Sequence, residues 1–137
     1  MKVAMFLASA LLMVNASVIA CGHCIEDKIA AVYDYSVVSK AVSEKHNVAY
    51  FGIDGPIVVN TANKQSLQTA ISALKGIDVN SLRISLEAGS LSLAFDPKAV
   101  SYATLLEGLE KKLKLKNLTI FPLDVITQMP KATVASR

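Results

Sequence analysis

Apolar and polar positions alternate strictly over 82–87 and again over 91–95. Leu82, Ile84 and Leu86 fall to one side and Arg83, Ser85 and Glu87 to the other, and Leu91, Leu93 and Phe95 repeat the pattern after EAGS. Two period-two runs across a glycine-containing turn predict a β-hairpin with one face on a core and one in water. On both sides the period becomes helical. In NKQSLQTAISALKG (63–76), Leu67, Ala70, Ile71 and Leu74 share a face and Gly76 supplies a C-terminal stop. Past FDP, Ser101 is the expected N-cap of a helix whose stripe is Tyr102, Leu105, Leu106, Leu109 and Leu113. The β-prone runs NVAYFGI (47–53), ending in the turn signal DGP, and NLTIFPLDV (117–125) bracket this body.

The order is therefore βαββαβ, an α+β ferredoxin-like sandwich with two helices on one face of a four-stranded antiparallel sheet in the order 4-1-3-2. Pro122 suits an edge position for the last strand. Ahead of this core, 25–46 has a helical stripe of Ile25, Ile29, Val32, Tyr33, Val37 and Ala41. A break is expected near Asp34, Tyr35 and Ser36, with Ser36 as candidate cap of a second helix packed on the core.

Residues 1–20 change the picture of where the protein works. Lys2, an apolar run over 3–14, small residues after it and no acid before Glu26 read as an export signal rather than an uncleaved anchor. The expected organisation is signal (1–20), helical extension (21–46), ferredoxin-like domain (47–125) and flexible tail (126–137). Without Lys2 the 14 basic residues become 13 against 11 acidic, a net charge of +2 with no basic run, so nucleic acid is not an expected partner. Three of the four methionines also fall in the signal, leaving Met129 and arguing against a methionine-rich copper site. An exported, periplasmic or otherwise extracytoplasmic location is oxidising, and contact with a membrane is expected only through the signal or a lipid anchor.

LKGIDVNSLRISLEAGSLSLAFDPKAVSYATLLEGLEKKL resembles the second half of a heavy-metal-associated domain: a glycine and a valine before strand 2, a hairpin, the FDP step and a Ser-capped second helix. The resemblance covers 48 to 125. It implies a metal site in the loop after strand 1, where the family carries Met-x-Cys-x-x-Cys. Here that loop, GIDGPIVVNTANKQ, has no cysteine, histidine or methionine. The ligands reappear upstream, where CGHCIEDKIAAV is similar to the family's Cys-x-x-Cys and first helix. No strand precedes it, and Ile19-Ala20 replaces the usual Met-Thr. The chain thus resembles a divergent relative whose Cys-x-x-Cys has moved to an N-terminal helical extension.

The chemistry of the pair stands without the family. Cys21 and Cys24 lie one turn apart at an expected helix N-terminus, which favours thiolate. Two thiolates, with His23 beside them or as third ligand, bind a soft ion. Cu(I) suits two sulfurs, or a site shared between two molecules, better than Zn(II), because a closed zinc site needs four ligands. A metal-exchange protein or a second copy of the chain is the expected partner. Other readings stay open. CGHC is also the tetrapeptide of thiol–disulfide oxidoreductases. VIAC resembles a lipobox, which would acylate Cys21 and make a lipid-anchored interaction module. A free N-terminal CGH suits Cu(II) or Ni(II), and a structural disulfide is the plainest alternative. His46 reads as a charge partner at a helix end, becoming a ligand only if folding brings it to the pair. With no Ser/His/Asp set, phosphate loop or carboxylate pair, the chain is expected not to be an enzyme, thiol redox activity being the competing possibility.

Overall fold

The computed structural model describes residues 24–127; the expected signal, Cys21, His23, Met129 and the tail from 128 onward lie outside the described residues. No helix among the described residues is long and apolar enough to cross a membrane. In chain order the elements are α1 (Ile25–Ala30), α2 (Tyr35–Ser43), β1 (Asn47–Asp54), α3 (Thr61–Ser72), a short 3-10 helix (Val79–Ser81), β2 (Arg83–Ser85), β3 (Ser90–Phe95), α4 (Tyr102–Lys114) and β4 (Thr119–Ile126).

The four strands form one sheet in the order β2-β3-β1-β4, every pairing antiparallel. This is the ferredoxin-like order that the βαββαβ pattern predicts, with β4 at an edge and Pro122 in it. Period two decides which side chains go where. Ala49, Phe51 and Ile53 of β1 and Leu91, Leu93 and Phe95 of β3 meet Leu67 and Ile71 of α3 and Leu105, Leu109 and Leu113 of α4 in the main core. Phe51 stacks on Tyr102 with ring centroids 6.0 Å apart. Ser101 caps α4 as expected, its Oγ accepting from the Thr104 N–H at 3.1 Å.

The opposite face is not wet. Val32 of the turn after α1 and Val37, Val38 and Ala41 of α2 pack against Val48, Tyr50 and Ala94, with Ile29 of α1 partly buried against them, so β3 is buried along its whole length. The alternation in the hairpin is real, but its polar side faces the extension. Ser90 Oγ donates to the Lys28 carbonyl at 2.7 Å and Ser92 Oγ to the Val32 carbonyl at 2.8 Å. The first satisfies a carbonyl that the end of α1 leaves without an internal partner, and the second a carbonyl of the turn that follows.

Several boundaries differ from the sequence reading for local reasons. Asp34, not Ser36, caps α2: its carboxylate accepts from the N–H of Ser36 and Val37, and its other oxygen pairs with Arg83. Arg83 therefore lies against the extension instead of in open solvent. Asn60 caps α3, which ends at Ser72; Gly76, with φ +83°, belongs to the turn before Ile77 and not to the helix stop. Ile25 and Tyr33 fall outside the buried stripe and are exposed.

Candidate functional site

Cys24 is the residue before α1, extended at φ −60° and ψ 143°, and it is exposed. Its carbonyl accepts the Lys28 N–H at 3.1 Å, the first turn of the helix. α1 has only six residues, so the thiolate-favouring field expected of a helix N-terminus is here that of fewer than two turns. Glu26 and Asp27 occupy that first turn.

What fixes Cys24 in space is Lys28, one turn on. It is 8 % exposed, and its Nζ donates to the carbonyls of Ala88 at 2.6 Å and Gly89 at 3.1 Å in the β2–β3 turn. The same ammonium lies 5.9 Å from the centroid of the Phe121 ring, whose far end also covers Gly52. A Cβ on Gly52 would run into that ring. A buried ammonium is tolerable here because carbonyl dipoles and a π face replace its water. Lysine side chains in a helix lean towards its N-terminus, so Cys24 stands at the end of the sheet where β1 finishes. The loop from β1 to α3 leaves from this end, with Val58 and Val59 exposed.

His46 is elsewhere. It precedes β1, eight residues of extended chain from the end marked by Lys28, a separation of about 25 Å. It is not brought to Cys24 and is no third ligand for it. Instead its Nδ1 lies 2.8 Å from Asp78 Oδ2 and 3.8 Å from Glu44 Oε2. The hydrogen bond with Asp78 holds its pKa above the ordinary histidine value, against the opposing effect of burial, with Asp96 and Glu44 adding negative charge. Glu44 is held in turn by Lys40, at 2.6 Å from its other oxygen.

The sequence reading had His46 as a helix-end charge partner, which it is in part, but missed Asp78. Register explains the meeting: Asn47 pairs with Phe95 and Phe95 bridges to Ile77, which sets Asp78 beside His46. Local structure aids it. Lys45 takes φ 61°, and the N–H groups of His46 and Lys45 return to the carbonyls of Ala41 and Val42, a Schellman close to α2 with lysine where glycine is usual.

No protein-family model matches this chain, and no curated protein sequence matches it. Among solved structures it is similar to the crystal structure of a copper binding domain from HMA7, a P-type ATPase, with 18 % identity and a TM-score of 0.46 over 58 % of this chain and 96 % of that one.

Proposed function

We propose that this protein is an exported carrier of a soft metal ion, Cu(I) in preference to Zn(II), bound by Cys21 and Cys24 with His23 beside them. The observation that carries this reading is the placement of Cys24. It is exposed, yet its helix is pinned by Lys28 to the turn of the hairpin at one end of a ferredoxin-like sheet. Carrying and handing on an ion asks for ligands that an incoming partner can reach, on a support stiff enough to keep them paired. Two sulfurs and an imidazole form a soft, low-coordinate set, which suits Cu(I) and leaves a four-ligand zinc site incomplete unless two chains share it. The sequence resemblance to heavy-metal-associated domains agrees with this role, and His46, at the far end of the sheet, adds nothing to the set.

The test is an intact mass of the mature protein from its own host, followed by Cu(I) titration against a competing chelator. Two recoverable thiols and one ion per chain, or one per pair of chains, with binding lost in Cys24→Ser, support the reading. A chain that begins at an acylated Cys21 replaces it with a lipid-anchored module. Turnover of a disulfide substrate, lost in Cys21→Ser, replaces it with thiol redox chemistry.

A further inference from the structure

We propose that Glu44, His46 and Asp78 form a second cation site, for a borderline divalent ion of the Zn(II) class, through one imidazole nitrogen and two carboxylate oxygens. The three donor atoms all lie within 4.8 Å of one another. An ion with bonds of about 2.0–2.2 Å brings its donors to about 3.3 Å of each other, so distances of 2.8 Å and 3.8 Å at the imidazole bracket what is needed. Binding would draw in Glu44, the most exposed member at 41 %, and part His46 from Asp78 by about 0.5 Å.

Each donor is oriented by something other than the cluster. Asp78 is fixed by its backbone, whose N–H donates to the Ala94 carbonyl at 2.8 Å and whose carbonyl accepts from the Ser81 N–H at 2.8 Å. Glu44 has one oxygen on Lys40 and presents the other towards the imidazole. His46 is set by its backbone bond to Ala41 at 2.8 Å. Two ligands come from the end of α2 and one from the segment before the 3-10 helix, so an ion here would clasp the extension to the core. The side chains of Glu44, His46 and Asp78 are all partly open, and Asp78 borders a groove of about 330 Å³ also lined by Lys40, Asn80 and Arg83. Water can therefore complete the coordination shell, as in open three-ligand sites. The donor set differs in kind from the thiols: one nitrogen and two oxygens discriminate against Cu(I) and favour ions such as Zn(II), Co(II) and Ni(II).

The experiment uses the full chain carrying Cys21→Ser and Cys24→Ser, so that sulfur cannot contribute. Co(II) is titrated and followed by visible absorption, then displaced with Zn(II). One Co(II) per chain, with His46→Gln and Asp78→Asn each weakening it at least about tenfold, supports the site, since even groups that only orient a ligand are worth about 10–100-fold. Glu44→Gln should weaken it less. No saturable Co(II) binding, or binding unchanged by His46→Gln, overturns the proposal. A second measurement needs no change in the cluster: addition of Zn(II) must move the His46 ring resonances, and resonances that stay in place overturn it equally. Because thiols are absent throughout, neither outcome depends on whether Cys21 and Cys24 carry Cu(I).

Discussion

The two faces of the sheet are built differently, and the difference separates what holds the fold from what places Cys24. The face under α3 and α4 is large and apolar, its fully buried members including Phe51, Phe95, Leu67, Leu91, Leu93, Leu105 and Leu109. The face under α1 and α2 is a small cluster of valines and alanines around Tyr50, ringed by polar ties: Lys28 to two turn carbonyls, two serines to carbonyls of the extension, Asp34 to Arg83, and His46 to Asp78. Burial of apolar area is non-directional and roughly additive, so the first face supplies stability. Hydrogen bonds contribute less net energy but fix geometry and penalise a misplaced partner, so the second face sets where the extension sits.

The sharpest way to break the comparison is a large cavity on the first face. Phe51→Ala removes a fully buried ring stacked on Tyr102 and should cost about 3–5 kcal/mol, read as a lower urea midpoint for the whole domain. Both faces should be lost together, because β1 and β3 belong to both. Next comes the second face itself. Lys28→Met keeps most of the apolar stem but takes the ammonium donor from the Ala88 carbonyl, while the Gly89 carbonyl keeps the Ile53 N–H, a loss of about 1–3 kcal/mol. Amide exchange should quicken in α1 and at Ser90 while α4 keeps its protection. If α4 quickens equally, the two faces are one cooperative unit and the comparison fails.

A third substitution should move stability the other way. Tyr50 is 1 % exposed, and its hydroxyl has no hydrogen-bond partner among the described residues. Burial pushes its pKa up to about 12, with Tyr33, Asp124 and Asp34 adding to the rise, so the group stays neutral and simply forgoes water. Tyr50→Phe should therefore stabilise by about 1 kcal/mol, seen as a higher midpoint with an unchanged denaturant slope. A destabilised variant would mean that the hydroxyl has a partner after all.

The same contrast explains what could be read from the chain. The first face was legible because its energy lies in periodic apolar positions: Leu82, Ile84, Leu91, Leu93, Leu105 and Leu109 announce both their element and their side. Strand order followed from element order. The second face was not legible, because its residues look like solvent-facing ones. Ser90 and Ser92 have the pattern of a wet strand side, and only the docked extension shows whose carbonyls they serve. Lys28 reads as a surface lysine until its stem is buried along the sheet. Ser36 was the expected cap, and residue type does not separate it from Asp34; Arg83, distant in sequence, holds the aspartate in place. In the candidate site, Cys24 could be picked out by chemistry alone. The pairing of His46 with Asp78 depends on strand register, and no local pattern carries that.

The smallest expected effect sharpens the contrast through pH. Asp34 is held down to about 2, chiefly by its hydrogen bond from Ser36 and then by Arg83, against a partial desolvation that opposes it. A depressed carboxylate contributes stability that is fully present above its unfolded pKa of about 3.9 and is lost as pH falls through the folded value. The affected window therefore runs from about pH 4 down to about pH 2. The main core contains no ionisable group that titrates there, whereas the extension is tied at Asp34 to both the start of α2 and β2. Acidification through this window should loosen α2 first, seen as faster amide exchange at Ser36 and Val37, with β1 and α4 still protected. Asp34→Asn keeps an acceptor for the cap but not the charge for Arg83, so it should remove this acid sensitivity while leaving the helix start in place. Acid sensitivity that persists in Asp34→Asn would place the titrating group at the other end of α2, at Glu44, whose carboxyl the Lys40 hydrogen bond holds below the usual carboxylate range.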